Sequence, residues 1–395
     1  MRYKFPEIRT INDVLPHIEG RDEFIVAERE GYTVINYVVS MTHTFDMTGP
    51  DDLGGAIRRE CRGLIFDKAG NLISRPYHKF FNVNERDETQ QHIVELDLMF
   101  DHVIMEKMDG SMIRPIPLGN SFRLGTKMGV TDIAMDAEVW LVRQSDAVVK
   151  HEWISAEIAA NRTPIFEWIS PKNQIVVPYE TEDLVLTAVR DNLSGEYTFP
   201  SECPFNIVPM YGSFNGTIFK DLSAWISDSR GLEGREGDII RFADGHMMKF
   251  KNDWYVRIHK TMDRVRFDRH VVELILNEQL DDAIGMLPVV EADRIRKFEA
   301  DFWYSFQRTE HQLEMLAQIA REKYDGDRKR VALEFIPVLE RKDSSGFIFG
   351  SLLGRDMREQ MINHVKKYVS SNTRWAECAK WLGMENVSEV KEVDE

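Results

Sequence analysis

The chain has 395 residues, which exceeds the usual size of one hydrophobic core, so we expect two domains. Its formal net charge of −16 excludes a protein that coats nucleic acid through its overall charge, and any polyanion must be bound by individually placed cations. No apolar run approaches the ~18–20 residues of a membrane span and no signal-peptide pattern is present, so we expect a cytoplasmic protein without a membrane partner.

The first 258 residues are dominated by short apolar runs that alternate with tight turns. Glycine and asparagine in these turns favour β-hairpins. A strand-rich region with a few covering helices predicts an α+β fold with antiparallel sheets. The predicted strands are 63–67, 72–75, 102–105, 165–168, 238–242 and 246–251, and the predicted helices are 131–143 and 150–161.

From about residue 259 the apolar positions follow helical spacing instead, and prolines become rare. This change predicts a domain boundary, with one domain over 1–258 and an all-helical domain over 259–395. The predicted helices are 271–279, 290–304, 307–323, 328–339 and 354–370.

Lys107 stands between a short apolar strand and the turn that Asp109, Gly110 and Ser111 form. A lysine amine is a poor nucleophile while it is protonated, so catalysis requires neighbours that lower its pKa. Gly110 would let a phosphate approach the backbone closely. By itself this four-residue pattern also fits a solvated lysine in a surface turn, so the interpretation depends on other residues.

Lys249 and Lys251 alternate with Met248 and Phe250 on one predicted strand, which places both ammonium groups on the same face. Paired lysines on a strand often mark a solvated edge, but the apolar opposite face indicates that this strand lines a cleft. There the lysines would hold phosphate oxygens. Glu236 precedes this hairpin, and a carboxylate at that point can hold Mg²⁺ against phosphates.

Three further elements offer acidic, basic and aromatic groups. Glu167 lies between Phe166 and Trp168 on a predicted strand, where a buried acid requires a partner such as a ribose hydroxyl. Arg62 opens the first hairpin, and the string 79–82 (Lys-Phe-Phe-Asn) follows it, so two cations and a stacking surface become available. Each element alone also fits an ordinary sheet position, and their combination carries the hypothesis.

In this order the motifs resemble the covalent nucleotidyltransferases, which comprise DNA ligases, RNA ligases and mRNA capping enzymes. Within them the sequence resembles most closely the phage RNA ligase 1 family, the ATP-dependent tRNA-repair ligases of T-even phages. The resemblance spans roughly residues 30–260 and becomes loose in the helical part. The strings that carry it are 60–63, 74–76, 79–85, 107–111, 166–167, 171–176 and 249–255.

The resemblance implies an antiparallel-sheet nucleotidyltransferase domain of the ATP-grasp-like ligase type over 1–258, and a role in RNA-substrate specificity for 259–395. It implies that Lys107 attacks the α-phosphate of ATP, that AMP passes to the 5′-phosphate of an RNA strand, and that a 3′-hydroxyl then displaces AMP. Mg²⁺ or Mn²⁺ would assist. The substrate would be broken RNA, with cleaved tRNA as one candidate, and a monomer in the cytoplasm of an infected host cell would suffice if the gene is a phage gene.

The resemblance also assigns roles to individual residues. Asp281 equally fits a helix cap, and Asp238 departs from the family pattern because that position is usually apolar or aromatic. The implied catalytic residues are Lys107, Lys127, Glu167, Glu236, Lys249, Lys251 and Tyr255. The implied nucleotide-binding residues are Tyr37, Arg62, Lys79, Lys107, Gly110, Glu167, Lys249 and Lys251, and the implied metal ligands are Glu236 and Asp281.

Two alternatives remain beside the RNA ligase. DNA ligases and capping enzymes usually add an OB-fold after the strand with the paired lysines, whereas this chain continues into predicted helices. An inactive relative would serve as an RNA-binding module, and the retention of Lys107, Glu236 and the lysine pair argues against that loss of activity.

Overall fold

The structure is a computed structural model that describes residues 4–41, 43–90, 92–93, 101–199, 202–213, 228–339 and 342–384. Within these ranges the chain divides into two compact units, one that extends to Val256 and one that begins at Arg257. None of the described helices is both long enough and apolar enough to cross a membrane. The functions that the sequence assigns to 1–258 and 259–395 stay predictions.

The first unit contains three sheets whose described pairings are antiparallel, except that one short strand pairs in parallel. The predicted α+β class with antiparallel sheets is therefore confirmed. The first sheet has β1 (Phe24–Arg29), β2 (Tyr32–Tyr37), β3 (Arg62–Asp67) and β4 (Leu72–Ser74) in this order. The other strands are β5 (Phe81–Asn82), β6 (His102–Lys107), β7 (Ser111–Leu118), β8 (Ser121–Gly125), β9 (Arg162–Ile169), β10 (Asp183–Asp191), β11 (Tyr197–Thr198), β12 (Met210–Ser213), β13 (Gly237–Phe242) and β14 (Met247–Lys251).

The second sheet has the order β11-β10-β9-β7-β8, and the third has the order β12-β6-β13-β14-β5. Apolar residues of the second and third sheets form one core cluster, which contains Met105, Ile165, Val185 and Ile239. Strands β3–β4 and β13–β14 are the two hairpins that the sequence predicts. The helices of this unit are α1 (Leu53–Glu60), α2 (Asp132–Arg143) and α3 (Ala147–Ala159).

A fully buried ion network ties distant parts of the first unit together. Glu60 accepts hydrogen bonds from Arg75 (Nε–Oε2, 3.1 Å) and from Arg190 (Nη2–Oε1, 2.7 Å), and all three side chains are 0% exposed. Burial opposes the ionisation of Glu60, but Arg190 and Arg75 outweigh burial and hold the pKa of Glu60 at about 2. The network joins Glu60 at the end of α1 to Arg190 on β10 and to Arg75 in the segment after β4. Glu60 lies two residues before Arg62, so the network also anchors the start of β3.

The second unit is helical, as the sequence predicts. Its predicted helices 290–304 and 307–323 form one continuous helix instead, because no proline or glycine interrupts them and Ser305 and Phe306 are buried within it. The helices here are α4 (Asp253–Val265, which begins in the first unit), α5 (Asp268–Leu276), α6 (Leu280–Ile284), α7 (Val289–Lys323), α8 (Ser345–Leu352), α9 (Met357–Tyr368) and α10 (Asn372–Leu382).

The predicted helix 328–339 is also corrected. Three short helical turns replace it, over Arg328–Arg330, Val331–Phe335 and Ile336–Val338. Pro337 lies in the last of these turns, and a proline lacks the N–H that a regular α-helix requires.

Candidate active site

Three adjacent strands bring a carboxylate between two lysines. Gly237 at the start of β13 lies opposite Lys107 at the end of β6 and opposite Lys251 at the end of β14. Glu236, just before Gly237, therefore reaches both amines: its Oε2 is 2.7 Å from Lys107 Nζ and its Oε1 is 3.0 Å from Lys251 Nζ. Glu236 is only 2% exposed, so this is a nearly buried, charge-assisted contact.

The backbone around Glu236 leaves no room for a side chain at the next position. Gly237 has a φ of +154°, and an added Cβ would collide with the carbonyl oxygen of Phe250 and lie 2.9 Å from Lys251 Cα. The N–H of Asn252 donates to the carbonyl of Glu236 at 2.8 Å. These contacts fix the carboxylate between the two strand ends.

Lys249 lies on the same face of β14 as Lys251, as the alternation predicts. Burial, together with the charges of Lys107, Arg62 and Lys79, lowers the pKa of Lys249 to about 7. Its Nζ lies 5.4 Å from the centroid of the Phe80 ring. The site therefore concentrates positive charge, which suits a polyanionic ligand.

Lys249→Met is expected to stabilise the free protein by about 1 kcal/mol or more, because the buried ammonium is poorly compensated. The sign follows from the pKa, which falls from 10.5 to about 7 on folding. The penalty is absent above pH 10.5, grows as the pH falls, and is complete below about pH 7. Thermal unfolding across this range measures both effects, with Lys68→Met as an exposed control. A lower melting temperature for Lys249→Met at neutral pH would contradict the prediction.

Glu167 on β9 lies close enough to Lys107, Glu236 and Arg62 for their charges to act on it. Burial and the charge of Glu236 raise the pKa of Glu167 to about 7, against the opposing charges of Lys107 and Arg62. Gly110 lies directly against this strand: an added Cβ would collide with the Trp168 carbonyl and lie 3.1 Å from Glu167 Cγ. Glycine at 110 is therefore required for the turn after Lys107 to pack beside Glu167.

Asp109 is the residue of this turn that the sequence did not assign a role. It is 2% exposed, and its Oδ2 accepts hydrogen bonds from the N–H groups of Val176 and Val177, each at 2.7 Å. Its Oδ1 accepts one from the Tyr255 hydroxyl at 2.7 Å, and its own N–H donates to the Tyr179 hydroxyl at 2.9 Å. This network holds the turn that follows Lys107.

Tyr255 is connected to the turn after Lys107 by the hydrogen bond that its hydroxyl donates to Asp109. Burial raises the pKa of the Tyr255 phenol well above its usual value, and the carboxylates of Glu236 and Asp109 raise it further. The phenol is therefore a hydrogen-bond donor at neutral pH. The Lys251 Nζ lies 4.8 Å from the centroid of its ring.

A second group of cations surrounds Tyr37. Lys79 Nζ lies 5.1 Å and Lys127 Nζ 5.7 Å from the centroid of the Tyr37 ring. Burial alone raises the pKa of Tyr37, but the charges of Arg62, Lys79 and Lys127 outweigh burial and lower it. Arg62 and Lys79 also contribute to the shift at Lys249, so they connect both groups.

Asp281 and Asp238 are the two residues for which the sequence offers an alternative role or departs from the family pattern. Asp281 lies in the second unit, exposed in the first turn of α6, and Gln279 rather than Asp281 is the cap residue of that helix. The role of Asp281 as a metal ligand stays a prediction.

Asp238 is buried and pairs with Arg235, and burial raises the pKa of Asp238 to about 6. The described residues contain no group of three His, Cys, Asp or Glu side chains that could hold a metal ion.

Comparison with known proteins shows that the chain is similar to RNA ligases. A family model described as RNA ligase matches residues 60–255. A protein named Putative RNA ligase from Thermovibrio ammonificans is 29% identical over 327 residues, which cover 80% of this chain and 82% of that protein. RNA ligase 1 of Bacteriophage TS2126 is 25% identical over 264 residues, which cover 65% of this chain and 64% of that ligase.

Among solved structures, a putative ATP-dependent DNA ligase from Aquifex aeolicus is similar with a TM-score of 0.42 and 14% identity over 82% of this chain and 80% of that one. The matched segment 60–255 contains the motifs from Arg62 to Tyr255, including Lys107 and Glu236. The chain is thus similar to RNA ligases of the phage RNA ligase 1 type over the segment that contains these motifs.

Proposed function

We propose that this protein is an ATP-dependent RNA ligase that joins 5′-phosphate and 3′-hydroxyl RNA ends through a lysyl-AMP intermediate. The observation that carries the proposal is the contact of Lys107 with Glu236, beside the paired cations Lys249 and Lys251. This arrangement combines an amine, a proton acceptor and phosphate-binding cations at the ends of adjacent strands.

In the first step the neutral amine of Lys107 attacks the α-phosphorus of ATP, and the bond from that phosphorus to pyrophosphate breaks. Glu236 lies 2.7 Å from the amine and accepts the proton that the amine loses. Lys249 and Lys251 neutralise the charge that accumulates on the phosphate oxygens. Reactions of this type depend on positioning and on charge neutralisation.

In the second step an oxygen of the RNA 5′-phosphate attacks the lysyl-AMP phosphorus, so that Lys107 is released and RNA-adenylate forms. In the third step the 3′-hydroxyl of the other strand attacks the RNA 5′-phosphorus, and AMP leaves. Glu167 would accept a hydrogen bond from the ribose. Tyr37, Arg62 and Lys79 would bind the nucleotide, and Lys127 would be a further catalytic lysine.

A divalent cation, Mg²⁺ or Mn²⁺, would neutralise phosphate charge when it is bound. Magnesium usually takes one or two protein carboxylates and completes its shell with water and substrate phosphates. Glu236 fits as one such carboxylate, although both of its oxygens contact lysines. Asp281, in the second unit, is a separate candidate metal contact that rests on the resemblance alone.

We also assign the nucleotidyl transfer to residues 1–258 and RNA-substrate specificity to 259–395. The proposed residues from Tyr37 to Tyr255 all lie in the first unit, which supports the first assignment. A role in RNA repair, with cleaved tRNA as a candidate substrate, is inferred from the family. We propose a cytoplasmic enzyme, within an infected host cell if a phage encodes it, that acts as a monomer because one chain contains every proposed residue.

The experiment is to incubate the protein with α-labelled ATP and a divalent cation. We expect a covalent label that survives denaturing electrophoresis, is released by acidic hydroxylamine as a phosphoramidate should be, and maps to the peptide that contains Lys107. Labelled GTP, run in parallel, tests a capping enzyme. A 5′-phosphorylated RNA oligomer and its DNA counterpart then test which ends are sealed. The absence of label from ATP would contradict the proposal.

A further inference from the structure

One face of strand β7 packs against the strand that carries Arg62. Residues Met112, Arg114 and Ile116 alternate on this face. Met112 Sδ lies 4.0 Å from Arg62 Nη1, and Arg114 Nη2 donates a short hydrogen bond to the carbonyl oxygen of Gly63. Arg114 thus makes a polar contact between the first two sheets, next to the hydrogen bond that the Ser74 hydroxyl donates to the Pro115 carbonyl.

Arg114 is buried without a compensating charge. It is 0% exposed, its Nε and Nη1 have no hydrogen-bond partner, and no carboxylate of the described residues forms an ion pair with it. Burial lowers the pKa of Arg114 to about 9. A buried guanidinium with one neutral acceptor is unfavourable for folding, so packing alone does not account for an arginine at this position.

The acceptor of Arg114 lies at a tightly constrained point of the site. Gly63 has a φ of +100°, and an added Cβ would lie 2.7 Å from the carbonyl oxygen and 2.8 Å from the Cα of Lys127. The same Cβ would lie 3.1 Å from Arg114 Nη2. Gly63 is therefore enclosed by the Arg114 side chain and the main chain of Lys127, and its chain neighbour is Arg62.

Arg62 and Lys127 are two of the three cations that lower the pKa of Tyr37. Any movement of the Gly63 backbone would displace Arg62 directly and would open the close contact with Lys127. We propose that Arg114 is a positioning residue of the nucleotide site, which holds the Gly63 carbonyl and thereby keeps Arg62 and Lys127 beside Tyr37. Arg114 itself contacts no substrate in this role.

The test compares Arg114→Met, which removes the hydrogen bond, with Arg114→Lys, which retains one donor. The ultraviolet absorbance of the phenolate reports the titration of Tyr37 when the same variant with Tyr37→Phe is subtracted. We expect Arg114→Met to raise the pKa of Tyr37 towards its usual value of ~10. We expect Arg114→Lys to titrate close to the wild type.

A second readout rests on the proposed function. In self-adenylylation with ATP, we expect Arg114→Met to raise KM about tenfold, because a displaced Arg62 would lose about one charge-assisted contact with the nucleotide, with a smaller change in kcat. Arg114→Lys should recover most of this loss. If the wild type takes up no label while Arg114→Met still shifts Tyr37, the proposed function fails and the role of Arg114 stands.

Ile116→Ala is the matched control. Ile116 lies on the same face of β7 as Arg114 and packs in the same cluster as Ile65, which is two residues further along β3 than Gly63. It should lower the melting temperature and leave the titration of Tyr37 unchanged. The proposal is overturned if folded Arg114→Met titrates Tyr37 as the wild type does. It is also overturned if Ile116→Ala shifts Tyr37 as strongly as Arg114→Met, since that result would show a packing effect only.

Discussion

Lys107→Ala is expected to abolish the covalent nucleotide label and to slow self-adenylylation by about 10⁴-fold or more, as the loss of a nucleophile does in other covalent enzymes. The neighbouring lysines cannot substitute. Lys251 Nζ contacts the opposite oxygen of Glu236 at 3.0 Å, and Lys249 lies on the next strand position of the same face. The measurement is the rate of label uptake from α-labelled ATP.

The design of this experiment separates chemistry from folding. Lys68→Ala, at an exposed turn lysine, should take up label as the wild type does. Lys107→Ala should still seal an RNA whose 5′ end already carries AMP, because the third step does not use the amine of Lys107. Persistent label on Lys107→Ala would contradict the assignment. A variant that fails to seal the adenylylated RNA and also unfolds early would show a structural role instead.

Glu60→Gln is expected to destabilise the protein by about 3–5 kcal/mol, because the change leaves two buried guanidinium groups without a carboxylate. Arg75 and Arg190 are each 0% exposed, and neither can reach solvent without unfolding. Denaturant unfolding measures this loss. Glu7→Gln, at an exposed ion pair with Arg9, is the control and should change the free energy of unfolding little.

The same network predicts the dependence of stability on acid. The pKa of Glu60 is about 2 in the folded protein and 4.5 as its usual value, so the unfolded chain binds the proton first. Its contribution is therefore complete above pH 4.5 and is lost as the pH falls towards 2. Glu60→Gln should lack this part of the acid transition. An unchanged acid profile, or a free energy of unfolding within about 1 kcal/mol of the wild type, would contradict the prediction.

The sequence predicts those parts of the site that depend on local pattern. Alternation along one strand places Lys249 and Lys251 on a common face, and the turn at 243–245 gives the hairpin that carries them. The apolar run before Lys107 gives its strand. Because these features need only a few neighbouring residues, the pattern contains enough information to predict them.

The remaining parts depend on contacts between distant segments. Nothing near Asp109 in the sequence indicates that Val176, Val177 and Tyr255 are its partners. The buried network of Glu60 is equally invisible, since Arg190 lies 130 positions away. The division of α7 into two predicted helices is wrong because tertiary packing buries Ser305 and Phe306, at the predicted break, within one continuous helix.

The distance along the chain between Asp109 and Tyr255 has a consequence for the synthesis of the protein. These partners are 146 positions apart, and the strands β6 and β13, which end at Lys107 and begin after Glu236, are similarly separated. Contacts of such long sequence separation form slowly and late. On a translating ribosome, the nascent chain would expose Lys107 long before its carboxylate partner emerges. We therefore expect unfinished chains to remain inert towards ATP, so that the ligase becomes active only when residues up to Tyr255 are free to fold.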